Sequence, residues 1–348
     1  MDLSLHLTLI VDREAAHPYG RTLDLCQLAE DLGFRAVTVG NHHFQHLRYA
    51  GGVADPLLLL AAVAARTSTL ELAQAVYLAA LDDPLRLAER VAVLDELSGG
   101  RAVLSVGGGW NAEEYAAFGA TLAERGRRLD EALAVIRRLW VEETVAHDGT
   151  FWRFPPLSLE PRPVRRPHPP IWVAGVADAA LERAARLGDA WLCDPVVPFD
   201  EVARLVGRYR DRCAAAGSAA DWVLRRDIWV GEDRRVMDDE WLPDYVDDRL
   251  AHWRASTEGP VERALFRRLD AGESVPPAEV AAGRFFGGTP DDVLEGIESY
   301  RRLGCEHLVV GLYPSRADRL HPDRAFAHVA GMLRTLGTHV VPALGQTG

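Results

Sequence analysis

The sequence predicts a (β/α)8 barrel, and three observations carry that reading. Segments patterned as strands and as helices alternate along nearly the whole chain. The alternation recurs about every 30 residues, the length that a parallel strand with its helical crossover needs. Eight strand-like segments can be counted, the number that closes a parallel sheet on itself. A doubly wound open sheet is the runner-up. It would leave sheet edges to protect, and it usually carries a phosphate fingerprint on its first turn, which is absent here.

Each element has its own signal. Leu3, Leu5, Leu7 and Leu9 alternate with Ser4, His6 and Thr8, the period of two that marks a strand. A helix over 20–32 stops at Gly33, and Phe34 to Val39 forms the second strand. Asp55-Pro56 opens a helix to about Ser68, followed by a third strand from Leu70 to Tyr77. Pro84 opens a helix ending at Ser98-Gly99-Gly100, and Ala102 to Val106 is the fourth strand. A long helix covers 124–142. Strands at Ile171–Ala174 and Ala190–Leu192 alternate with helices over 177–187 and 200–216. Val223 to Val230 and Glu306 to Gly311 are strands seven and eight, and a last helix covers 322–336.

Two stretches break the rhythm. Residues 155–170 are rich in Pro and Arg and read as an extended connector, because proline fixes φ and removes a donor. Residues 231–288 exceed what a crossover needs and read as helical insertions after strand seven, a lid or pocket wall containing Trp241, Trp253 and Phe266. We therefore expect one barrel domain over 1–348 carrying that insertion.

Composition removes several function classes. The 348 residues include 39 Lys+Arg against 51 Asp+Glu, a net charge of −12, which disfavours nucleic acid and anionic membrane surfaces as partners. Apolar residues make up 48%, enough for a packed core, and the longest apolar run, Leu57 to Ala65, is too short to span a bilayer. The N-terminus lacks a cationic region and a cleavage site, so no signal peptide is expected. Cys26, Cys193, Cys213 and Cys305 form no CxxC pair and read as reduced thiols of a cytoplasmic protein.

Active sites of barrels lie where strands end, which selects three loops. Asn41-His42-His43-Phe44 follows strand two, and an imidazole there can serve as general base. Hydrogen-bonded structural histidines are the bland alternative. A metal pair of His42 with His46 would need a helix, so no metal is expected. Gly107-Gly108-Gly109-Trp110 follows strand four, where glycines let backbone approach a flat or anionic ligand. Asn111 and Glu114 there look like a capping box, the mark of a plain turn into a helix. Gly175-Val176-Ala177 follows strand five at a helix start, a possible phosphate site that Asp178 in the first turn opposes. Arg162, Arg165 and Arg166 precede strand five and belong to the opposite end. Thr289-Pro290-Asp291-Asp292 is a helix start without chemistry, and Arg316, Arg319 and His321 read as a solvated loop. Alanines 61, 62, 64 and 65 suit close helix packing or a dimer contact.

Taken in order, these motifs resemble the bacterial luciferase-like monooxygenases, the flavin- and deazaflavin-dependent barrel enzymes. Leu32-Gly33-Phe34 with His42-His43-Phe44 is similar to the family's glycine, strand and EHHF pattern. Leu94 to Arg101 is similar to LDxLSGGR, and Val106 to Trp110 with Glu114-Tyr115 and Phe118-Gly119 to GVGxGW…EY…FG. Pro169 to Gly175 with Ala184 to Asp189, and Gly288 to Val293, are similar to PPIWVAG…AARLGD and GTPxxV. The resemblance implies reduced FMN at the strand ends, delivered by a separate flavin reductase. It also implies O2 and a small organic substrate, and a homodimer. It implies that His42 helps the flavin chemistry, that a bulge with a non-prolyl cis peptide lies near Gln74-Ala75 behind the flavin ring, and that the phosphate region is Gly107 to Trp110 with Gly175, Val176 and Ala177. Three departures stand out: Asn41 replaces the usual Glu, Gly108 stands where an Arg is often found, and Val176 and Ala177 replace hydroxyl residues. They weaken the phosphate site and keep open an F420-dependent hydride-transfer oxidoreductase of the same fold. A non-catalytic flavin-binding protein is the alternative from a different class.

Overall fold

The computed structural model describes residues 1–44, 52–53, 55–256 and 260–345, with backbone alone for 52, 251–256 and 260–263. Eight parallel strands form the barrel: β1 (Asp2–His6), β2 (Ala36–Asn41), β3 (Glu71–Gln74), β4 (Leu104–Val106), β5 (Ile171–Ala174), β6 (Ala190–Cys193), β7 (Trp222–Val230) and β8 (His307–Leu312). Each pairs with its neighbour in sequence, and β8 returns to β1 with Asp2 opposite His307. The seam between β3 and β4 is held by single bridges, Leu72 to Ala102 and Tyr77 to Val106. The sheet is thus a nearly closed ring, and the open-sheet alternative is set aside.

The seam explains why the third strand stops at Gln74 rather than at Tyr77. The chain bulges at Ala75 and Val76, which are joined by a non-prolyl cis peptide. The Gln74 side-chain carbonyl then accepts the Ser105 N–H at 3.1 Å, a bond the bulged backbone no longer supplies.

Helices α1 (Gly20–Asp31), α2 (Pro56–Ala64), α3 (Pro84–Ser98), α4 (Arg125–Val141), α5 (Asp178–Leu187), α6 (Phe199–Ala216), α7 (Pro290–Arg301) and α8 (Pro322–Thr335) surround the ring. Their starts follow local chemistry. Asp55 accepts the N–H groups of Leu57 and Leu58, Asp83 those of Leu85 and Arg86, and Thr289 forms a capping box with Asp292. Gly99 ends α3 at φ +69°, a left-handed position that suits glycine.

Strand alternation sorts the two cores. Leu5, Val37, Leu72, Leu104, Val173, Leu224 and Val310 face the helices, whereas Ala73, Val103, Trp172, Leu192, Val223 and Val309 fill the barrel interior. The polar face of β1 turns inward, where Ser4 meets His307 at 2.6 Å and His6 meets Thr38 at 2.9 Å.

At the N-terminal face, Arg101 donates to carbonyls of Ala64, Thr67, Leu70 and Ser98 and to the Thr67 hydroxyl. Arg165 pairs with Glu71 there at 3.0 Å, so the basic cluster lies away from the strand ends. The connector begins in a strand and holds no helix or other strand from 158 to 170. Ahead of it, Val145–Asp148 and Arg153–Leu157 pair as an antiparallel hairpin, and Glu131 on α4 accepts the N–H groups of Thr150, Phe151 and Trp152 in its turn. Between β7 and α7 the chain forms helices Leu242–Ser256, Pro260–Asp270 and Pro277–Ala281. A strand, Phe285–Gly288, then pairs with the end of β7. Arg316 and Arg319, expected in a solvated loop, pair with Asp248 on the first of these helices.

Candidate active site

The C-terminal ends of β2, β3 and β4 interlock. Asn41 ends β2 buried: its carbonyl oxygen accepts the Leu78 N–H at 3.1 Å, and its amide donates to the Val53 carbonyl at 3.2 Å. It therefore ties the loop after β2 to the loop after β3. His42 follows, with Nδ1 3.6 Å from Glu114 Oε1 and its ring 6.1 Å from that of Trp110 in an edge-on arrangement. The His43 N–H donates to the same Glu114 oxygen at 2.6 Å, and the His43 ring packs on Phe118 at 4.7 Å. His46, the proposed second half of a metal pair, lies outside the described residues. Among the described residues no cluster of three or more His, Cys, Asp or Glu side chains is arranged to hold a metal ion.

Glu114 was expected to close a capping box with Asn111. Asn111 does cap the short helix Ala112–Ala117, accepting the Glu113 N–H at 2.9 Å, but Glu114 turns away to the histidine loop. Burial works to raise the Glu114 carboxyl, yet the contacts with His42 and the His43 N–H outweigh it, and its pKa falls below the usual carboxylate range. Burial dominates at His43 and lowers its pKa, with Glu114 acting in the opposite direction.

Gly107 to Trp110 passes close to the bulge. A Cβ at Gly107 would stand 2.5 Å from Val76 Cγ2, and one at Gly109, whose φ is +64°, 2.9 Å from Leu78 Cδ2. These positions need glycine for close approach. The Tyr115 hydroxyl donates to the Gly108 carbonyl at 2.6 Å. Gln74 sits in the seam, while Ala75 and Val76 pack against the interior cluster. Gly175, Val176 and Ala177 stand at the end of β5. Their close contacts run to Ala180 and, through the Gly175 carbonyl, to the Trp191 indole N–H at 2.8 Å. Asp178, which opposes an anion there, is paired with Arg208 and Arg212.

The luciferase-like monooxygenase family model matches residues 5–307. The chain belongs to this family. It is similar to the oxygenase component of the flavin-dependent trigonelline monooxygenase of Acinetobacter baylyi, 30% identical over 99% of this chain and 95% of that protein. It is also similar to the FMNH(2)-dependent dimethylsulfone monooxygenase of Pseudomonas putida, 29% identical over 92% of this chain and 87% of that one. Among solved structures, the monooxygenase RslO1 of Streptomyces bottropensis superposes with a TM-score of 0.79, at 30% identity and 99% coverage of both chains. The chain is thus an oxidoreductase of the luciferase-like family.

Several mouth residues of this luciferase-like monooxygenase escape sequence reading. The Arg125 stem at the start of α4 lies 3.4 Å from where a Gly108 Cβ would stand, so a guanidinium from a neighbouring element covers the glycine. On the far side, Asp227 on β7 receives the Tyr245 hydroxyl at 2.7 Å and the Arg249 guanidinium at 2.8 Å, both from the insertion helix Leu242–Ser256. Arg225 donates to the Tyr313 hydroxyl at 2.9 Å. Burial, then the charges of Arg225 and Arg249, hold the His6 pKa well below its ordinary value. Only the inward face of β7, carrying Arg225 and Asp227 at spacing two, hints at this cluster in the sequence, and its partners come from 18 to 88 residues later.

Proposed function

We propose that the protein is the oxygenase of a two-component system: it takes reduced FMN from a separate flavin reductase and uses O2 to oxidise a small organic substrate at the barrel mouth. The observation that carries this reading is the His42–Glu114 pair beside a glycine run that presses on the bulge. The residues fit a flavin. The bulge offers a small apolar surface for a planar ring. The Gly107–Gly109 backbone has no side chain to obstruct approach, and Arg125 over Gly108 supplies the cation that the glycine itself lacks, for the phosphate. Gly175 to Ala177 and the N–H groups at the start of α5 would complete that end of the site.

Bound reduced FMN supplies, with O2, the oxidising chemistry. The chain's own groups position and shield it. Glu114 is acceptor-only as a carboxylate, so it favours the His42 tautomer with the proton on Nδ1. Nε2 is then left to accept or pass a proton at the substrate. Such a role is typically worth about 10²–10⁴ in rate. The insertion over the mouth would exclude water. Leu58 on α2 and Val93 and Leu97 on the adjacent α3 are exposed apolar side chains, which support a homodimer.

Anaerobic spectral titration tests the cofactor. Reduced FMN is expected to bind and to be reoxidised by O2 on the protein. Binding of reduced F420 in place of FMN would shift the reading to hydride transfer, and binding of neither would overturn it. A His42→Ala variant that turns over at the wild-type rate would remove His42 from the mechanism.

A further inference from the structure

The bulge at Ala75 and Val76 lies on the weakest part of the ring, the seam between β3 and β4, where single bridges replace a continuous ladder. With so few backbone bonds, side chains have to help hold its shape. Val76 turns inward against Gly107, whereas the next residue, Tyr77, turns outward into the core between sheet and helices. The Tyr77 backbone closes the seam. Its N–H donates to the Ser105 carbonyl at 2.8 Å, and its carbonyl accepts the Gly107 N–H at 3.1 Å. One residue thus joins the bulge to the first glycine of the run after β4.

The buried Tyr77 ring ends in a closed cycle of three polar groups. Its hydroxyl donates to Asp82 Oδ2 at 2.6 Å and accepts from Arg90 Nη2 at 3.0 Å, and the same Nη2 pairs with Asp82. Nη1 of Arg90 donates to Asp55 Oδ2 at 3.3 Å, while the other Asp55 oxygen caps α2. Burial and the Asp82 carboxylate push the Tyr77 pKa far up, so the proton stays on the hydroxyl and the direction of each bond is fixed. Arg90 stands in the middle of α3 and reaches three segments: the residue after the bulge, the loop before α3 and the start of α2. Mutually supporting bonds of this kind hold the Tyr77 ring in one orientation.

We infer that Arg90 is a positioning residue for the flavin ring: through Tyr77 and Asp82 it clamps the bulge against Gly107 and so sets the surface on which the ring would lie. Its guanidinium is on the helix side of the sheet, so it acts through Tyr77 and not by contact with a ligand in the barrel. This rests on the bulge backing the flavin, as proposed above. A looser bulge lowers affinity for the ring, and does so alike with or without a phosphate on the ligand.

Anaerobic titration with reduced FMN and reduced riboflavin, followed by absorbance, tests this. Tyr77→Phe and Arg90→Met are each expected to weaken both ligands by about tenfold, the equivalent of one hydrogen bond to a charged group. The factor should be the same for both, since they share the ring. Arg90→Lys is expected to recover part of the loss, because a single Nη carries the bonds to Tyr77 and Asp82 and an ammonium can occupy that point. The circular dichroism of the bound reduced flavin should change shape in Tyr77→Phe and move back toward wild type in Arg90→Lys. Affinities within about twofold of wild type with an unaltered dichroism spectrum, whatever the melting temperature does, would reduce the cycle to a stability device and overturn the inference. A loss confined to FMN, or no recovery in Arg90→Lys, overturns it too. If Arg90→Met does not fold, Tyr77→Phe, which removes one oxygen, decides. Wild-type protein that binds neither flavin brings down the cofactor reading and this inference with it; wild-type binding with unaffected variants brings down this inference alone.

Discussion

The Glu114 carboxylate lies 3.6 Å from Nδ1 of His42, and the same oxygen takes the next backbone N–H, that of His43, at 2.6 Å. One buried side chain on the helix after β4 thus fixes both the position and the electrostatics of the loop after β2. It remains ionised because those contacts lower its pKa against the effect of burial.

Glu114→Gln separates the two roles. The amide oxygen still accepts the His43 N–H, so the melting temperature should change little. The imidazole loses its anionic partner, and the rate of flavin reoxidation followed by stopped-flow absorbance should change by about tenfold or more. An unchanged rate would make Glu114 purely a loop anchor.

Arg125 should report on the phosphate. Arg125→Ala is expected to weaken reduced FMN by about tenfold and reduced riboflavin hardly at all, since only the former carries the group a guanidinium would hold. Equal loss for both ligands would mean that Arg125 acts on the loop around Gly108 instead.

Arg101 ties the N-terminal ends of the structure together through four backbone carbonyls and a hydroxyl. Lysine offers one ammonium in place of a planar fork and cannot reach them all. Arg101→Lys should cost about 2 kcal/mol or more in denaturant unfolding, with flavin affinity unchanged, because the contacts lie at the end of the barrel away from the mouth.

His307 makes folding stability depend on pH. Burial, reinforced by Arg35, lowers its pKa to about 4 from an unfolded value near 6.5. The unfolded chain therefore binds the proton first as pH falls. The stability it contributes is complete above about pH 6.5 and shrinks as pH drops toward 4. Between pH 7.5 and 5 the loss should be about 2 kcal/mol. His307→Gln, which does not titrate and can still bond Ser4, should flatten that part of the stability profile.

Much of this was legible in the residues themselves. The strand and helix alternation, the caps at Asp55, Asp83 and Thr289, and the separation of His42 and Gly107 at strand ends from Arg165 at the other end follow from periodicity and local hydrogen bonding. Such signals act within a few residues and survive in a one-dimensional reading. Asp148-Gly149, at the turn of the hairpin, is a local signal of the same kind.

The rest was decided by the closing of the ring. Glu114 has the spacing of a capping residue, and only the packing of the loop after β2 against it turns it to His42. Arg125 covers Gly108 because α4 folds back over the loop after β4. Asp227 meets Arg249 because the insertion returns across the mouth, and it fits because its neighbour in register on β8 is a glycine. Sequence determines which elements form, because their energetics are local. Which side chains share a low-dielectric cavity depends on strand register and on contacts between distant segments, and those exist only once the barrel has closed.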